Sequence, residues 1–150
     1  MREVLTKSMA RNIFYGGSLF FIIIFIGLFI HGHWYIVNVS TDTAGLTDSV
    51  KRGKVVWEEK ACVNCHTILG EGAYFAPEVA NVMIRWGVDD DPELAYETLK
   101  GWMDAQPSGV PGRRQMPQFN LSDEDVRALS DFLLWTGTIN TQNWPPNELG

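Results

Sequence analysis

Cys62-Val63-Asn64-Cys65-His66 is the stretch on which the reading of this chain turns. Two thiols three positions apart, followed at once by an imidazole, form the attachment pattern of a c-type haem. One helical turn holds the two sulfurs at the spacing of the two haem vinyl groups, where each can form a thioether. The next residue then lies under the iron, where a neutral imidazole nitrogen coordinates. Two other uses of Cys-x-x-Cys compete. A disulfide redox centre expects a βαβ context, which the flanking sequence lacks. A zinc site needs four ligands, and these are the only two cysteines; the other histidines, His31 and His33, stand at the end of an apolar segment. Attachment of one covalent haem c is therefore the expectation.

The chain has 150 residues and a formal charge of −6. That length allows one small domain plus an anchor. Removing the apolar N-terminus leaves roughly 100 residues, a marginal size for a core built of side chains alone. A covalent haem would complete the apolar interior. The acidic balance argues against nucleic acid as a partner. Both cysteines belong to the haem motif, so no disulfide framework is expected.

Ile13 to Ile30 contains no charged residue. As a helix it would be about 27 Å long, close to the hydrocarbon thickness of a bilayer. Arg2, Lys7 and Arg11 precede it against Glu3 alone, and Trp34 and Tyr35 follow it. The basic bias places the N-terminus in the cytoplasm, and the aromatic pair fits an interfacial belt. A cleaved signal peptide would have a shorter core and a small-residue exit, which Ile30-His31-Gly32-His33-Trp34 does not offer. Gly16 and Gly27 share a helical face, where a second membrane helix could approach. His31 and His33 read as interfacial polar residues, with ligation of another subunit's haem as the alternative.

Residues 37–46 lack a period and read as a linker, so the expected division is 1–36 anchor, 37–46 linker, 47–137 haem domain and 138–150 extended tail. Thr47 is the expected N-cap of a helix that runs into Cys62, with Val50, Gly53 and Trp57 on its apolar face. A glycine inside a helix costs about 1 kcal/mol relative to alanine, so Gly53 suggests close packing against another helix. After His66, two glycines and Pro77 mark an irregular loop along the haem edge. Pro77 is expected to open a short helix with Val79, Val82, Met83 and Trp86 inward and Gly87 as its stop. Asp91 should cap a helix starting at Pro92, with Ala95, Leu99 and Trp102 inward. The spacing of Asp89, Asp90 and Asp91 is not that of a calcium loop. Ser122 and Asp125 open the last helix, whose inward stripe is Val126, Leu129 and Leu133. Trp144 in the tail either packs back on the domain or serves a contact.

No histidine follows His66, so the sixth iron position falls to a methionine or stays open. Met83 and Met103 lie on apolar helical faces, where methionine fills cores. Met116 lies in a Gly/Pro-rich loop that can bring its thioether over the opposite haem face. His/Met ligation suits electron transfer; an open position would suit gas binding. Arg113 and Arg114 beside it can neutralise haem propionates or meet a partner protein.

Several stretches carry a family resemblance: KSMARNIFYGGSLFF, CVNCHTILGEGAYFAPEVANV, GRRQMPQFNLS and FLLWTGTINTQNWPPN. With them the chain resembles the cytochrome c subunits of bacterial nitric oxide reductase. The resemblance implies a mainly α protein, a class I-like cytochrome c domain on a single N-terminal transmembrane helix, in the bacterial inner membrane with the haem domain in the periplasm. It implies His66 and Met116 as iron ligands. It implies a large membrane partner with haem b, haem b3 and non-haem iron that reduces nitric oxide, while this chain is not a catalyst in isolation. Electrons would come from a soluble cytochrome c or small copper protein, whose delivery an acidic surface should steer in a salt-dependent way. It also implies a calcium ion (Ca2+) at the subunit interface, with the Gly72 carbonyl and Tyr74 as ligands. The rival readings are the same cytochrome serving an oxygen-reducing haem-copper oxidase or acting as a tethered shuttle, and a haem gas sensor.

Overall fold

The computed structural model describes residues 5–142. The chain divides into two compact units, one ending at Val39 and the other starting at Ser40. The first is one long helix, α1, Lys7–Tyr35. Thr6 caps it, accepting the Met9 N–H on its hydroxyl at 3.3 Å. Helical structure then continues as a π turn over Ile36–Ser40. The polar composition from Val37 on had pointed to a linker; the π turn carries the helix through its first residues, with Asn38 donating to the Trp34 carbonyl at 2.8 Å. The segment Lys7–Ser40 has a mean hydropathy of 2.5 in its most apolar window, and α1 buries no residue. It is long and apolar enough to cross a membrane. Lys7 and Arg11 lie in its first turns, whereas Arg2 and Glu3 lie outside the described residues.

The second unit is mainly α. Helix α2, Asp48–Glu59, is capped by Thr47, whose hydroxyl accepts from the Val50 N–H. It buries Val50, Gly53, Val56 and Trp57. Helix α5, Asp123–Gly137, is capped by Ser122 and buries Val126, Leu129, Phe132 and Leu133. These two helices form the main packing of the domain, and Gly53 lets them approach closely. Helix α4, Pro92–Asp104, starts at Asp91, whose carboxylate accepts from the N–H groups of Glu93 and Leu94. It packs on α5 through Ala95, Tyr96, Leu99 and Met103.

Two expectations are corrected here. Trp102 is 47% exposed. The buried face of α4 centres on Tyr96, Leu99 and Met103, and Trp102 sits at its edge, resting on Trp86 with ring centroids 6.0 Å apart. The short helix α3 spans only Val82–Trp86 and does not begin at Pro77. The chain from Pro77 to Asn81 is held instead by the Val79 N–H on the Thr67 carbonyl and by the Glu78 carboxylate. Gly87, at φ 67°, ends α3 in the left-handed conformation that favours glycine. Beyond Gly137, the Asn140 N–H reaches the Ser40 carbonyl at 2.8 Å. Trp144 lies outside the described residues.

Candidate functional site: the haem-attachment turn

Helix α2 stops at Glu59, before the first cysteine. Ala61 takes φ 55°, a left-handed conformation, and redirects the chain into a 3-10 turn over Cys62–Asn64. The motif therefore sits on its own tight turn and not, as the sequence suggested, on the end of α2. The Cys62 carbonyl accepts from the N–H groups of both Cys65, at 3.1 Å, and His66, at 2.9 Å. This turn keeps the two side chains three positions apart on one short arc. Neither thiol is bridged; Cys62 is buried and Cys65 half-buried. Burial pushes the Cys62 thiol above its ordinary pKa.

His66 Nδ1 lies 2.8 Å from the Pro77 carbonyl oxygen. A carbonyl only accepts, so Nδ1 carries the proton and donates. Nε2 is then the basic nitrogen, with its lone pair free for a metal. Trp57 stands beside the imidazole with ring centroids 6.3 Å apart.

The loop after His66 is laced to this turn. Strands β1, Thr67–Ile68, and β2, Glu71–Gly72, pair antiparallel, with Thr67 opposite Gly72. Leu69 and Gly70 between them both have positive φ, 51° and 83°, the pattern of a two-residue hairpin turn. A Cβ on Gly72 would stand 2.2 Å from the His66 carbonyl oxygen, so only glycine lets the strand pass there. The Ala73 N–H binds the Val63 carbonyl at 3.0 Å, and the Ala76 N–H binds the Cys65 carbonyl at 2.8 Å. Glu78, 6% exposed, closes the loop: its carboxylate accepts from the N–H groups of Leu69 at 3.0 Å and Ala80 at 3.1 Å.

Among the three candidate methionines, Met83 and Met103 lie on helices inside the core. Met116 lies in the loop between α4 and α5, half-buried against the same core. Gln118 ties this loop to α4, donating to the carbonyls of Met103 and Gln106. Gln115 ties it to itself, donating to the Val110 and Arg113 carbonyls and accepting from the Gly109 N–H. Arg114 reaches the loop that follows His66: it donates to the Phe75 carbonyl and lies over the Phe75 ring, 4.4 Å from its centroid. Arg113 is exposed. Tyr74 is 76% exposed, and Gly72 is exposed as well. His31 and His33 lie on α1, which buries none of its residues.

The donor set fits a haem: two unbridged thiols three positions apart, an imidazole oriented with Nε2 free, and a thioether on a loop packed against the same core. Sequence reasoning singled out these residues but not their supports. Pro77 was expected to open a helix and not to hold His66, and Glu78 and the Arg114–Phe75 contact went unassigned. A lone acid inside the apolar run Tyr74-Phe75-Ala76-Pro77-Glu78-Val79-Ala80 was the one visible signal.

Fold and donor set together define a cytochrome c, and residues 50–137 match the Cytochrome c family. Comparison with characterised proteins narrows this. The chain is 65% identical to the nitric oxide reductase C-subunit of Paracoccus denitrificans, 64% to that of Cereibacter sphaeroides and 56% to that of Halomonas halodenitrificans. Each match covers all of both chains. The chain belongs to this family of nitric oxide reductase subunits.

Proposed function

We propose that this chain relays electrons, one at a time, from soluble donors to the catalytic subunit of a nitric oxide reductase, and performs no catalysis alone. The observation that carries this reading is the His66 imidazole held through Nδ1 by the Pro77 carbonyl, beside two unbridged thiols. Cys62 and Cys65 would form the haem thioethers. His66 Nε2 and the Met116 sulfur would be the protein ligands of its iron. Bound there, haem c supplies a one-electron iron couple whose potential a thioether ligand raises. Pro77 fixes the imidazole tautomer, and the Ala73 and Ala76 N–H bonds hold the following loop against the turn. A haem held by both His66 and Met116 would exchange electrons without taking up substrate.

The membrane anchor is α1, with residues 1–36 as the functional anchor, 37–46 as the connection, 47–137 as the haem domain and 138–150 as the tail. The basic N-terminal flank sets the N-terminus in the cytoplasm, and the haem domain then lies in the periplasm, at the bacterial inner membrane. The partner subunit would carry haem b, haem b3 and non-haem iron, and the donor would be a soluble cytochrome c or small copper protein. Gly72 and Tyr74, exposed on the loop beside the haem turn, would offer a carbonyl and a phenol to an interfacial calcium. No cluster of three or more His, Cys, Asp or Glu side chains able to hold a metal occurs among the described residues, so the partner would supply the carboxylates such an ion needs. Arg113 is available to a propionate or to the partner.

The test is to isolate the chain from its own membrane in mild detergent. Pigment that stays with the chain in acidified organic solvent, a co-isolated large subunit, and donor-driven consumption of nitric oxide are expected. Extractable pigment, or a complex that consumes only oxygen, would overturn the reading.

A further inference from the structure

We infer that Arg114 is a latch that keeps the Met116 loop closed over the haem. This rests on the reading of Met116 as the distal ligand. The loop that bears Met116 is fastened to α4 by Gln118 and to itself by Gln115, but neither contact joins it to the segment that bears the haem. Among the described residues, the bond from Arg114 to the Phe75 carbonyl is the one hydrogen bond between that loop and the loop following His66. It has a second component, because the guanidinium also lies over the Phe75 ring at 4.4 Å. Phe75 is itself fixed to the haem turn through its neighbour, since the Ala76 N–H binds the Cys65 carbonyl at 2.8 Å. A short path of contacts therefore runs from Cys65 through Phe75 to Arg114, two residues from Met116.

The physical need for such a fastening is specific. A thioether is a soft, neutral ligand, and a surface loop opens at little cost when nothing ties its tip. In a complex that handles nitric oxide, an open iron position on the electron-relay haem would bind that small ligand and stop electron flow. Arg114 suits the task where lysine would not. Its planar fork can donate to a carbonyl while its face stacks on an aromatic ring. Arg114 is a positioning residue in this scheme: it acts through Met116 and does not touch the iron.

The test compares the intact complex with Arg114→Ala, Arg114→Lys and Phe75→Leu versions. The readouts are the near-infrared methionine–iron band of the oxidised haem, and the rates at which imidazole enters the oxidised haem and carbon monoxide the reduced one. Arg114→Ala should speed ligand entry about tenfold, the weight of one charge-assisted hydrogen bond, with the haem still attached. Arg114→Lys and Phe75→Leu each keep part of the contact and should fall between. Unchanged entry rates in Arg114→Ala, with or without a lower unfolding midpoint, would overturn the latch. A wild-type complex without the methionine band would overturn the Met116 assignment itself, and the latch with it.

Discussion

Gly53 of α2 lies directly against the backbone of Ala128 in α5: a Cβ on Gly53 would stand 2.0 Å from the Ala128 carbonyl oxygen and 2.6 Å from the Phe132 Cβ. The obstacle is mostly helix backbone, which cannot swing aside. The α2–α5 contact is the largest in the haem domain, so its spacing sets the positions of the elements that follow, including the haem turn. Gly53→Ala should therefore destabilise the domain by about 1–3 kcal/mol through overpacking. That outcome runs against helix propensity, which favours alanine by about 1 kcal/mol. Denaturant unfolding followed by haem absorbance decides it, and an unchanged or raised midpoint would show that the helices can separate freely.

Glu78 makes a second prediction. Its buried carboxylate is the acceptor for the Leu69 and Ala80 N–H groups, and its own carbonyl accepts from Arg85 Nη2 at 2.7 Å. Glu78→Ala leaves two sequestered donors without a partner, each costing about 1–3 kcal/mol. A total loss of about 2–4 kcal/mol is expected. Glu78→Gln retains an acceptor oxygen and should lose less than half as much. Equal losses in the two variants would place the role of Glu78 in its charge toward Arg85.

What could be read from sequence divides along physical lines. Thr47, Asp91 and Ser122 cap helices through side chains that bind N–H groups two or three residues away, so the signal is local and complete in the sequence. The haem motif is similarly local, because one turn contains every residue it needs. Gly53 was legible as an anomaly whose cause, Ala128, could not be named. The turn at Ala61, the non-helical chain at Pro77 and the outward edge of Trp102 were not legible. The first is a left-handed turn at an alanine, with no glycine to announce it, and the second depends on the bond from the Val79 N–H to the Thr67 carbonyl across the loop. The third depends on which side of α4 the other helices choose to cover. Arg114 and Phe75 are 39 residues apart, and nothing in the intervening sequence announces their contact.

Glu93 and Arg127 join α4 to α5 on the surface, with Arg127 donating to both carboxylate oxygens at 2.9 and 3.1 Å. Arg127 also lies over the Tyr96 ring, 3.9 Å from its centroid. The hydrogen bond from Arg127 lowers the Glu93 pKa below its ordinary value in the folded protein. A depressed carboxylate pKa contributes stability that is complete above the unfolded-state pKa and disappears as pH falls through the folded-state value. The Tm gap between wild type and Arg127→Gln should therefore be present at pH 7 and narrow below about pH 4. A gap of constant size across that range would assign the role of Arg127 to its packing on Tyr96.

Met116→Ala tests the distal ligand. On the proposed ligation, loss of the thioether would remove a ligand that favours reduced iron, so the haem potential should fall while the proposed thioethers at Cys62 and Cys65 keep the haem attached. A drop of more than about 100 mV is expected, within the ~0.8 V that axial ligands span. Met83→Leu and Met103→Leu are the internal controls, since both side chains fill the helical core and leucine conserves their volume at a cost below about 1.5 kcal/mol. Both controls should retain the near-infrared methionine band and the wild-type potential, as measured by redox titration of the complex. Retention of the band in Met116→Ala, with its loss in either control, would move the ligand from the loop into the core and undo the electron-transfer geometry argued for this loop.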